Sequence, residues 1–169
     1  MNKKGQAAME FLMTYGWAIL VVLAAIGALA YFGVLSPSAL LPERTTFTAP
    51  IPSVDTAVIR ASDDTVTIAF RNNVGSTITI DNVSVETGGD CGSVSSARLL
   101  MDSVDEALPP ADPEATRVQN GEAFRVEVTC GTTLVAGERF KSAVTVEYTN
   151  TETSLTRPHT GSVEGRVVQ

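Results

Sequence analysis

The first pattern along the chain is an unbroken apolar run. Phe11 to Leu35 reads FLMTYGWAILVVLAAIGALAYFGVL, and no charge appears between Glu10 and Glu43. The run predicts a helix of about 25 residues, about 37 Å long, where a bilayer core needs only about 20 residues. Lys3 and Lys4 stand before it, a positive flank that keeps the N-terminus cytoplasmic. Pro37 and Pro42 end the helix and open a Pro/Ser linker over 36–53. Tyr15 and Trp17 near one end, and Tyr31 near the other, suit a membrane interface.

After the linker the period falls from 3.6 to 2. Ala57–Ala61 and Val66–Phe70 alternate around an Asp63-Asp64 turn. Ile78–Val85 alternates with a slip at Asp81-Asn82, the mark of a bulge. Ala123–Cys130, Phe140–Tyr148 and Ser162–Val168 complete the set, with turn signals at Gly88-Gly89, Gly121, Gly131, Gly137 and Asn150. About six to eight short strands over about 115 residues predict an all-β, immunoglobulin-like antiparallel sandwich over 54–169. The Cys…Trp…Cys hallmark of antibody domains is absent, because Trp17 lies in the helix. Asp102–Val118, with Pro109, Pro110, Pro113 and several acids, reads as a long exposed loop.

Composition then narrows the chemistry. The net charge is −7, a field that repels phosphate and argues against nucleic acid as a partner. One histidine, His159, and two cysteines exclude a histidine-rich metal cage or a four-cysteine zinc site. His159 lies in Arg157-Pro158-His159-Thr160, which reads as an exposed turn. Asp63-Asp64 and Asp102 with Asp105 and Glu106 lack the spacing of a calcium loop. Gly88-Gly89-Asp90-Cys91-Gly92 has no following helix to carry a phosphate. No catalytic constellation, metal site or cofactor is implied, so the expectation is a protein that is not an enzyme. Cys91 and Cys130 are an even pair in the part that the anchor orientation puts outside the cell, which predicts a disulfide closing a loop of about 40 residues. Asn82-Val83-Ser84 is an N-glycosylation acceptor pattern in the same region.

Three readings of the N-terminus compete. It can be a plain single-pass anchor. It can be a secretory signal, since Ala28-Leu29-Ala30 has the small-x-small form of a cleavage site, although the apolar region ahead of it exceeds the usual ~7–15 residues. The third rests on Lys3-Lys4-Gly5-Gln6, then Glu10 as the fifth residue after Gly5, then the uninterrupted apolar helix. That combination, over residues 3–35, resembles the class III signal of archaeal type IV pilins. The resemblance implies cleavage after Gly5 by a prepilin peptidase at the cytoplasmic face, removing 1–5 and leaving 6–35 as a membrane-stored helix. A glycine at that point lets a peptidase approach the backbone closely. Loss of both lysines carries the formal charge from −7 to −9.

The same resemblance pairs the Glu10 carboxylate with the terminal amine of a neighbouring subunit; the bland alternative is a carboxylate favoured by the helix dipole. Ala24 and Ala28 stand four apart, and Gly16 and Gly27 are tolerated inside the helix, as in close helix–helix packing or as ordinary membrane composition. The expectation that follows is a structural subunit of an extracellular adhesion filament, homopolymeric through its helix. Its partners in the family are the peptidase, an assembly ATPase and a membrane platform protein. The alternative is an anchored β-sandwich that binds a ligand and never polymerises.

Overall fold

The computed structural model describes residues 3–31 and 42–169. It divides into an N-terminal unit ending at Leu41 and a C-terminal unit from Pro42 to Gln169. The expected helix end at 32–35 and the first part of the expected linker, 36–41, lie outside the described residues, as do Met1 and Asn2 of the expected leader.

Among the described residues, the N-terminal unit is the helix α1, Lys3–Tyr31. Leu, Ala and Met, all strong helix formers, dominate it. Thr14, a poorer one, turns its hydroxyl back to the Glu10 carbonyl at 2.8 Å. Phe11 and Tyr15, four residues apart, bring their rings to 4.6 Å.

The C-terminal unit is an antiparallel sandwich of ten strands. They are β1 Arg44–Thr46, β2 Val58–Arg60, β3 Thr65–Arg71, β4 Ile78–Val85, β5 Val94–Met101, β6 Val104–Leu108, β7 Arg117–Val118, β8 Ala123–Cys130, β9 Arg139–Asn150 and β10 Leu155–Arg166. Sheet I has the order β1-β10-β9-β4-β7 and sheet II the order β2-β3-β8-β5-β6. Alternation along each strand sends one set of side chains between the sheets. Ile68 and Phe70 of β3, Ile78 and Ile80 of β4, Leu99 of β5, Val126 of β8 and Val146 of β9 are sealed from solvent there. At one end Phe47 meets Phe70 edge-on at 4.8 Å, and Phe70 stacks on Phe124 at 5.4 Å. The slip expected at Asp81-Asn82 is a bulge: the β4–β9 register shifts between Ile80 and Asn82. The turn at Asp63-Asp64 puts Asp64 at φ 56°, and its carboxylate accepts from the Leu134 N–H at 2.7 Å.

Four sequence expectations need correction. Residues 42–53 are not a free linker. They hold β1, bury Phe47 and Ile51, and bridge Ser53 to Phe70. Prolines hid this segment, because two apolar side chains four apart do not make an alternating run. Asp102–Val118 is not one exposed loop either; it contains β6, a 3-10 turn at Pro113–Thr116 and β7, with Thr116 and Val118 fully buried. Asp112 caps that turn by accepting from the Glu114 N–H. β5 went unrecognised because Ser95-Ser96 and Leu99-Leu100-Met101 blur its period. Finally, β10 starts at Leu155, well before Ser162. Pro158 is tolerated because β1 pairs only with Ser162–Glu164, leaving that stretch of β10 at the sheet edge. A Cβ at Gly161 would strike the Phe47 ring and the Thr46 carbonyl, so glycine lets β1 run close beside β10.

Cys91 and Cys130 are joined, with Cα atoms 4.8 Å apart and a separation of 39 residues. The bond ties the turn after β4 to the end of β8. In the chain-entropy treatment a loop of this length contributes about 4 kcal/mol. The Cys91→Ala, Cys130→Ala double variant should lose about that much in a urea titration, with a steeper slope because the unfolded chain without the cross-link exposes more surface. Phe70→Ala, which empties the middle of the aromatic stack, should cost about 3–5 kcal/mol in the same titration.

Candidate functional site

The strongest feature is α1 itself. Over the 23 residues Met9–Tyr31 it is long and apolar enough to cross a membrane, and none of its apolar window is buried. Trp17, Leu20 and Leu23 are each more than 60% exposed. The β domain closes its core without drawing on them. The backbone of Lys3, Lys4, Gly5 and Gln6 forms the first turn of the helix, and Glu10 is exposed just ahead of the apolar stretch. Ala24 and Ala28 are exposed, and a Cβ added at Gly16 or Gly27 meets nothing within 4 Å. Among the described residues, nothing therefore requires a small residue at Gly16 or Gly27.

The two outer faces of the sandwich differ in chemistry. Sheet II presents Arg60, Arg71, Arg98 and Arg125, all exposed, with Glu127 and Asp105. Asp105 is held by Arg98 at 2.7 Å, so the acidic cluster suggested by Asp102, Asp105 and Glu106 is partly spent on an ion pair. Sheet I presents hydroxyls in its middle rows. Thr145 and Thr160 hydrogen-bond across β9 and β10 at 2.8 Å, and Thr149 and Thr156 at 2.7 Å. Asn82 and Ser84 lie on this face of β4, opposite Glu147 and Thr145. Ion pairing sits toward one end, where Lys141 meets Glu164 at 2.8 Å; that hydrogen bond holds the Glu164 carboxyl below its ordinary pKa. Beside it is an open depression of about 560 Å³, lined by Glu86–Asp90, Lys141–Ala143 and Ser162. The Asp90 carboxylate is already engaged there, accepting from the Lys141 N–H at 2.6 Å. Among the described residues, no three acids, cysteines or histidines converge as a metal site would need.

His159 is not the exposed turn residue that its neighbours suggested. It lies in β10 with its ring turned inward and buried, 5.8 Å from the Phe47 ring. Its Nε2–H donates to the Ile51 carbonyl at 3.0 Å. The bond ties β10 to the segment that crosses from sheet I to sheet II. Pro158 concealed it; alternation among His159, Val163 and Gly165 was the available signal. Burial lowers the imidazole pKa, against a smaller upward pull from the Ile51 and Thr48 backbone. In the unfolded chain the group titrates near 6.5. As pH falls, the unfolded chain takes the proton first, so stability is complete above about pH 6.5 and declines below it. Urea midpoints should therefore fall from about pH 7 to about pH 5 in the wild type, and less steeply in His159→Gln.

No protein-family model and no curated protein sequence matches the chain. Among solved structures it is similar to the archaellum periplasmic stator protein FlaG from Sulfolobus acidocaldarius, at 11% identity and a TM-score of 0.30, over 70% of this chain and 99% of that one. A likeness of that size carries no functional argument.

Proposed function

We propose that the chain is the structural subunit of an extracellular, type IV pilus-like filament, with a mechanical and adhesive role and no catalytic one. The observation that carries this reading is an apolar helix with none of its apolar window buried, in a chain whose β domain packs its own core. Such a helix must be covered by lipid or by copies of itself. The leader-like residues Lys3, Lys4, Gly5, Gln6 and Glu10 favour storage in lipid first and packing with other copies later.

In the mechanism that follows, the peptidase cuts between Gly5 and Gln6 and frees a positively charged amine. The Glu10 carboxylate of one subunit meets the amine of another as both enter an apolar core, where an unpaired charge would be costly. Ala24, Ala28, Gly16 and Gly27 allow close helix approach, and the bulky Leu, Ile and Val side chains fill the remaining space. The assembly ATPase and platform protein supply the work of moving the helix out of lipid. The disulfide braces a β domain that faces the outside.

The deciding experiment is the intact mass of the chain from sheared surface material and from membranes. The reading expects a chain beginning at Gln6 in sheared filaments. A chain beginning at Met1 and confined to membranes would support the non-polymerising anchor. One beginning at Tyr31 would support the secretory signal. Glu10→Ala should abolish filaments while leaving the melting of the β domain unchanged, and Gly5→Leu should leave the precursor uncut in the membrane.

A further inference from the structure

We propose that Asn82 carries an N-linked glycan and that the hydroxyl face of sheet I is the surface on which the sugar lies. The proposal rests on the functional reading only in needing the β domain outside the cytoplasm.

The geometry of the acceptor comes first. Asn82 and Ser84 are two apart on β4, so both side chains leave the same outer face of the sheet. The Asn82 side-chain oxygen accepts from the Val83 N–H at 2.9 Å, while its amide nitrogen has no protein partner. Ser84 is exposed. The bulge at Asp81 re-aims the strand at this point. Asp81 itself is tied down by hydroxyls, accepting from Thr149 at 2.7 Å and Thr79 at 3.3 Å.

The surroundings come second. An exposed sheet face ordinarily carries charge, and sheet II of this same domain carries four exposed arginines. Around Asn82, by contrast, Ser84, Thr145, Thr160 and Pro158 are short and neutral, and the charges are carboxylates: Glu147 opposite and Asp81 alongside. The threonine pairs hold their hydroxyls across the strands, and each hydroxyl keeps bonding capacity to spare. A surface of fixed hydroxyls, with the Asp81 and Glu147 carboxylates as further acceptors, is suited to the hydroxyl groups of a sugar.

The chemistry balances with a lipid-phosphate-activated sugar as donor. The bond between its anomeric carbon and the phosphate oxygen breaks, and the lipid phosphate leaves with the electron pair. The anomeric carbon bonds to Nδ2 of Asn82, which gives up one proton to a base. Chain order permits the reaction before the strand is paired, because the neighbours of β4, namely β7 and β9, both come later in the sequence.

The test is intact-mass and peptide mass spectrometry of the chain isolated from its native host, with Asn82→Gln, Ser84→Ala and Ser84→Thr variants. The proposal expects a mass increase by whole sugar units on the Asn82 peptide. The increase should be retained in Ser84→Thr and lost in the other two. An Asn82 peptide found wholly unmodified in the wild type overturns it. The same spectrum reads the N-terminus independently, so a missing sugar and a failed leader reading are told apart. For contact with the face, wild type and Asn82→Gln are melted from the native host and from a bacterium lacking the transferase. Loss of the glycan should lower Tm by about 2–4 °C beyond the effect of the substitution alone. A glycan present with no such difference would overturn the contact.

Discussion

Apolar surface that finds no partner inside its own chain must find one outside, and this constraint governs the whole molecule. The β domain meets it internally: two five-stranded sheets seal Phe70, Ile68, Ile78, Ile80, Leu99 and Val126 between them. The helix does not, with none of its apolar window buried. Two solvents are therefore built into one sequence. On the proposed reading the helix is made for lipid or for other helices, and the sandwich for water.

That division explains where stability and specificity reside. The β domain carries its own fastenings, so it can remain folded whether the helix sits in a bilayer or in a bundle. The disulfide ties the turn after β4 to the end of β8. The buried Asn72 amide donates to the Ser76 and Val118 carbonyls, and its oxygen accepts from the Val74 N–H, fixing the loop between β3 and β4 against β7. His159 fastens the crossover between sheets. In the helix, by contrast, a Cβ added at Gly16 or Gly27 would meet nothing within 4 Å, and Ala24 and Ala28 are exposed.

The two faces of the sandwich sharpen the picture. Sheet II is bristling with arginines, whereas sheet I is a lattice of paired threonines around Asn82. Both are water-facing, but the arginines gather on sheet II, whereas sheet I carries carboxylates among its hydroxyls and an ion pair toward one end. A protein with a net charge of −7 that keeps four arginines on one sheet and few charges in the middle of the other has an asymmetric surface. Such asymmetry gives the domain an orientation relative to whatever surrounds it.

Much of this was legible without coordinates. An uncharged run longer than a bilayer needs has a physical meaning independent of context, so α1 could be read directly. Period-2 alternation marked β4 and β8, and even the Asp81-Asn82 bulge, because one extra residue shifts every later side chain to the other face. Two cysteines in a part of the chain expected outside the cytoplasm left one pairing. Tertiary structure decided the rest. β1 is three residues long and exists only because β10 lies beside it. β5, with its blurred period, is held by neighbours on both sides, β8 and β6. His159 is buried because Pro158 occupies a sheet edge rather than a turn, and a single sequence does not distinguish those two uses of proline. The hydroxyl face is likewise invisible in one dimension: Ser84, Thr145 and Thr160 become neighbours only through the β4–β9–β10 register. Local pattern reports which way a side chain points, but only long-range pairing reports what it meets there.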